Sequence, residues 1–250
     1  MTTVIGIKGK DKESLESFVI LCSDSIGSKN DKPISGNEKK IFTGEDSNYA
    51  VGSAGCTLEN YFLRGTHAEE QAFLNKRTFM SKPDIEKMII NMNAKLIEGM
   101  GESNSYLVSL VSPEPGLFTL GKEDDKEKLV DAKSYSVIGS GKNYASSLSA
   151  LDLYKQDGRI WLPKKTLIDT SLTALREIAE HDSCTGGHMD VAIITPFKVI
   201  FLQDYAKIRN TAQSSYLDSF DMNSSDGGNM NPLSKVNKHL DRMGYLMDES

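Results

Sequence analysis

The 250-residue sequence predicts an α+β fold, a four-layer αββα sandwich in which two antiparallel sheets lie between helix layers. Two observations predict it. Two runs of short segments rich in Val, Ile and Phe alternate along the chain with two pairs of helical patterns, and each apolar segment is bounded by polar residues. Sheets built from such segments bury one face against each other and the second face against helices. The predicted domain spans residues 1–205, and 206–250 is an extension.

The first strands are expected over residues 3–9 and 18–23, joined as a hairpin through the charged stretch Lys10 to Ser17. A second pair, Lys40 to Thr43 and Asn48 to Ser53, flanks the turn-forming segment Gly44-Glu45-Asp46-Ser47. Helical patterns follow over Thr57 to Lys76 and Asp84 to Glu98. In the second, Ile85, Ile89, Met92 and Leu96 recur at helical spacing just after Pro83. Strands return at Ser105 to Val111, Leu117 to Leu120 and Ser134 to Ile138, separated by Pro113, Pro115 and the charged tract Lys122 to Lys128.

Helices are then expected over Asn143 to Tyr154 and Thr166 to Glu180, the latter with the stripe Leu167, Ser171, Leu175, Ile178 and Ala179. Met189 to Thr195 and Lys198 to Gln203 are the last strands. From Asn210 to Lys235 the chain is rich in Ser, Asn, Asp and Gly, which reads as a loop or partly disordered tail.

Composition excludes several classes. Apolar runs such as Phe18 to Cys22 fall far short of the ~20 residues of a membrane span. The N-terminal residues lack the basic and apolar regions of a secretory signal, so a cytoplasmic location is expected. Cys22, Cys56 and Cys184 match no zinc or CxxC spacing and read as free thiols. A net charge of -6 without a long basic run argues against a nucleic-acid partner. His181 and His188 flank Asp182 without forming a ligand set, and the helix methionines read as packing residues, so neither metal nor cofactor is expected.

Chemistry centres on Thr2. Removal of Met1 would leave a threonine carrying both a hydroxyl nucleophile and, in its own α-amine, a base with an unperturbed pKa of about 8. Many proteins open with Met-Thr, so the rest of the chain has to supply the context.

That context is the order Thr2-Thr3-Val4-Ile5-Gly6-Ile7, Val19-Ile20-Leu21-Cys22-Ser23-Asp24-Ser25, Lys39-Lys40-Ile41-Phe42 and Ala50-Val51-Gly52-Ser53-Ala54-Gly55. Much later come Ile138-Gly139-Ser140-Gly141 and His181-Asp182-Ser183-Cys184-Thr185-Gly186-Gly187. In this order the segments resemble proteasome β subunits and the related bacterial heat-shock-locus peptidase, which are N-terminal-nucleophile (Ntn) hydrolases. The resemblance covers residues 2–60 and 102–203.

It implies a threonine endopeptidase with Thr2 as nucleophile, Lys40 as the cation beside it and Asp24 holding Lys40. It further implies that Gly52 N–H faces the oxyanion and that Ser140, Asp182 and Thr185 orient the amine and relay protons. Gly27, Glu38, Ala50 and Ala54 would line the substrate cleft, a small Ala50 leaving room for a bulky side chain and Glu38 favouring a basic one.

Implied partners are peptides or unfolded proteins, sister subunits in a closed homo-oligomeric ring, and an ATPase unfoldase. The sequence departs from the family in a longer first hairpin, in Ile26 where arginine is common, and in Thr185 where serine is usual. Two other readings use the same scaffold: a non-catalytic ring subunit, and an amidase or transpeptidase passing the acyl group to an amine. Taken alone, Lys40 reads as a solvated surface lysine, Asp24, Asp182 and Thr185 as turn residues, and Ser140 as a helix cap.

Overall fold

The computed structural model describes residues 3–11, 14–29, 32–35, 38–43, 47–55, 80–100, 104–112, 114–123, 126–132, 134–147 and 163–208. The expected helix over Thr57 to Lys76 and the tail beyond 208 lie outside them. Strands β1 (Thr3–Lys10), β2 (Ser17–Asp24), β10 (Tyr135–Gly139), β11 (His188–Ile194) and β12 (Val199–Lys207) form one antiparallel sheet, in the order β10-β1-β2-β11-β12. The second contains β5 (Ile41–Phe42), β6 (Tyr49–Ala54), β7 (Ser105–Leu110), β8 (Gly116–Glu123) and β9 (Lys126–Asp131) in sequence order. A small separate hairpin pairs β3 (Gly27–Lys29) with β4 (Lys32–Ser35). The fold is thus mixed α+β with two antiparallel five-stranded sheets.

The alternation along each strand explains the packing. Val4 of β1, Val19 and Leu21 of β2, and Ala192 and Ile194 of β11 share one apolar cluster with Ile41, Ala50, Leu107 and Leu117 of the second sheet. Residues of opposite parity, Tyr49, Val51, Tyr106 and Val108, pack instead with Ile85, Ile89, Met92 and Leu96. Those four lie on helix α1 (Lys82–Met100), so its predicted stripe is the face it buries. Ser81 caps the helix reciprocally: its Oγ donates to Asp84 Oδ2 at 2.7 Å and accepts from Asp84 N–H at 3.3 Å. Asn48 fixes the entry to the helix by bonding both the N–H and the C=O of Met80.

Helix α2 (Lys164–His181) lies against β1 and β2. Leu167, Ser171, Leu175, Ile178 and Ala179, the stripe read from sequence, are all buried, together with Ile168 and Ala174. Among the described residues no helix is long and apolar enough to cross a membrane.

Three expectations are corrected. The tract Lys122 to Lys128, read as a connection, contributes to a hairpin in which Glu123 faces Lys126. Its second strand, β9, is a sheet edge that points only Leu129 fully inward, and charged outer residues on such an edge discourage pairing with other chains. The helix expected from Asn143 begins earlier, as a 3-10 segment over Ser140–Ser147, and residues 148–162 lie outside the described part. A domain end at residue 205 would cut β12, which runs to Lys207 and is followed by buried Ile208, whose N–H donates to Gly187 O.

Candidate functional site

Two buried carboxylates organise one end of the first sheet. Asp24 ends β2 and is fully buried. Its Oδ1 accepts from Lys40 Nζ at 2.7 Å and from Thr3 N–H at 2.9 Å, while Oδ2 accepts from Ile26 N–H and Gly186 N–H, each at 3.2 Å. A buried charge persists only when its lone pairs are met in this way. One side chain therefore ties together the start of β1, the turn after β2, the residue before β5 and the loop before β11.

Lys40 is no surface lysine: it is 1 % exposed. Its ammonium also donates to Ile26 O at 2.6 Å, so two of its three N–H groups are taken among the described residues. Burial pulls Lys40 below the usual lysine range, against the opposing pull of Asp24 and, more weakly, Glu38 and Asp190. Burial likewise pushes Asp24 upward, against Lys40 and the N–H donors. Ile26, the departure from the family pattern, supplies backbone at both ends of this pair, a role for which its side chain is irrelevant.

The second carboxylate is Asp182, immediately after α2. Its N–H continues the helix to Ile178 O, and its Oδ1 accepts from Cys184 N–H at 2.9 Å, a local turn that a short acidic side chain favours. Oδ2 accepts from Thr185 Oγ1 at 2.8 Å and from Ser140 Oγ in a short contact. A carboxylate here faces the negative end of the helix dipole, so these donors offset an unfavourable field. Tyr144 stacks on His181 with ring centroids 5.9 Å apart, which fixes the 3-10 segment, and hence Ser140, against the end of α2.

Thr3 joins the two carboxylates, and the sequence reading passed over it. Its backbone N–H goes to Asp24, and its Oγ1 lies 2.6 Å from Thr185 Oγ1 and accepts from Gly141 N–H at 3.2 Å. A search for residues adjoining the expected nucleophile would have found it.

Asp24, Lys40, Ser140, Asp182 and Thr185 are therefore brought together around Thr3, while Thr2 itself lies outside the described residues. Gly52 is not part of this cluster. It sits inside β6 between Ile41 and Leu107, and because Ser53 N–H donates to Lys40 O, the Gly52 N–H points the other way, into the ladder with β7. A Cβ on Gly52 would meet Val4 Cγ1 at 2.7 Å, so the glycine permits close approach of the sheets rather than of a substrate.

Ala50 is likewise corrected from pocket lining to packing: it is fully buried in the inter-sheet cluster, which also takes Ala54. Gly27 is buried at the start of the β3–β4 hairpin, and Glu38 is half-buried with its N–H donating to Ser25 O. No protein-family model matches the chain, and no curated protein matches it.

Proposed function

We propose that the chain is a threonine-type endopeptidase whose nucleophile is Thr2 with Met1 removed. The observation that carries this reading is the shared carboxylate of Asp24, which holds the Lys40 ammonium and the Thr3 N–H on the same oxygen. The residue bonded to that nitrogen begins one Cα step, ~3.8 Å, from Thr3.

In this mechanism Thr2 Oγ1 attacks a peptide carbonyl and its proton passes to the Thr2 amine. The remaining Lys40 N–H lowers the cost of forming the alkoxide. The amine returns the proton to the leaving nitrogen, the C–N bond breaks, and water hydrolyses the resulting ester. Asp182, through Ser140 and Thr185, orients the amine. The oxyanion donor in this reading is Gly55 rather than Gly52: it follows the last paired residue of β6 and has φ 125.

The finer expectations belong to the same proposal: a four-layer αββα Ntn-hydrolase sandwich, assembly into a closed cytoplasmic ring, unfolded polypeptide as substrate and an ATPase unfoldase as partner. Burial of α1 and α2 on opposite sheets supports the first.

Intact mass and N-terminal sequencing should find Thr2 at the terminus. Thr2→Ala should lower turnover of fluorogenic peptides by at least ~10³-fold, the scale on which loss of a nucleophile acts. Retained Met1 in the active assembly, or equal turnover by the alanine variant, would overturn the reading.

A further inference from the structure

The direction of the hydrogen-bond chain at Thr3 assigns that residue a task. Thr185 has one hydroxyl proton, and it is directed to Asp182 Oδ2 at 2.8 Å. Thr185 can therefore only accept at its 2.6 Å contact with Thr3, so the Thr3 hydroxyl is the donor. Its oxygen in turn accepts from Gly141 N–H. The run Gly141 N–H to Thr3 to Thr185 to Asp182 thus has a single polarity, with every hydroxyl giving its proton toward the carboxylate.

Packing around Thr3 is tight. The residue is fully buried, and a Cβ on Gly141 would stand 2.5 Å from Thr3 Cγ2 and 2.6 Å from its Oγ1. Only a glycine lets the backbone N–H reach the hydroxyl. With its own N–H on Asp24, Thr3 is held by both carboxylates at once, through different atoms.

We infer that Thr3 is a positioning residue: its hydroxyl, clamped between Gly141 N–H and the Thr185–Asp182 chain, fixes the orientation of the preceding residue for catalysis. This rests on the reading of Thr2 as nucleophile. Serine keeps the donor and the acceptor. Valine keeps the shape, removes both, and leaves the Gly141 N–H without its acceptor.

The test compares Thr3→Val, Thr3→Ser and Thr2→Ala in the full chain, measuring kcat and KM on a fluorogenic peptide and acylation by a peptide active ester followed by intact mass. Thr3→Val should lower kcat and the acylation rate by up to ~10²-fold, the scale of a catalytic group displaced by about 1 Å, with KM within about twofold. Thr3→Ser should stay within about threefold of the parent.

Should Thr3→Val fail to fold, Gly141→Ala, which pushes on the Thr3 hydroxyl without deleting it, must show the same loss confined to kcat. A Thr3→Val enzyme with unchanged kcat, a Thr3→Ser enzyme as poor as Thr3→Val, or a folded Gly141→Ala enzyme with parental kcat would sink the assignment while Thr2→Ala stays inactive. An active Thr2→Ala enzyme would instead remove the reading on which it rests.

Discussion

Lys40 Nζ and Asp24 Oδ1 lie 2.7 Å apart with both side chains closed to solvent. Well-packed apolar residues often serve a fold as well as a buried ion pair does, so stability alone is a weak reason for this one. Removing one partner, however, strands the other. Lys40→Met and Asp24→Asn should each cost about 3–5 kcal/mol in urea denaturation, because either leaves an uncompensated group behind. The double variant should lose clearly less than the sum of the two. Additivity to within about 0.5 kcal/mol would mean that the pair is not coupled.

Asp182 leads to a different expectation, because the donors to its Oδ2 are hydroxyls. Ser140→Ala and Thr185→Val each delete one hydrogen bond to a nearly buried carboxylate, and each should cost about 1–3 kcal/mol. Asp182→Asn should be worse for turnover than for folding, since the amide can still accept from Cys184 N–H but carries no charge. Paired melting curves and peptide hydrolysis would separate the two effects. A variant losing both in proportion would mark Asp182 as structural.

The apolar elements were legible in the sequence because one physical signal sufficed for each. The β1–β2 hairpin follows from two apolar runs, and the buried stripe of α2 from helical spacing. What escaped depended on distant neighbours. β9 puts Lys126 and Lys128 on its outer face and becomes a strand only by pairing with β8. Thr3 looks like any residue opening a strand until a 3-10 segment some 140 positions away and a loop some 180 positions away bring Gly141 and Thr185 to its hydroxyl. Gly52 and Gly55 are three residues apart in one segment, and only the pairing register and the φ of Gly55 separate a packing glycine from one past the sheet.

Cys22 should make the fold sensitive to alkali. Burial pushes its thiol up to about 12 from 9.0, only partly countered by a hydrogen bond with Ser171. Between those values the unfolded chain ionises the thiol and the native chain does not, so the native state holds the extra proton and stability falls as pH rises. The slope from this one group approaches about 1.4 kcal/mol per pH unit. Denaturation at pH 8, 9.5 and 10.5 should show the parent losing stability faster than Cys22→Ala. Parallel losses in the two proteins would contradict the assignment.

Gly52 is the sharpest test of how the sheets meet. Alanine at this position keeps the backbone N–H but places a methyl 2.7 Å from Val4 Cγ1, well inside van der Waals contact, at the centre of the inter-sheet core. Overpacking of this kind costs about 1–3 kcal/mol. Val4→Ala alone should also destabilise, by leaving a gap where the isopropyl group was. Combined, the two changes exchange one methyl contact for another, so Gly52→Ala/Val4→Ala should be more stable than the sum of its parts predicts, as read from urea midpoints. If Gly52 served substrate binding instead, Gly52→Ala would leave stability untouched and raise KM, and Val4→Ala would rescue nothing.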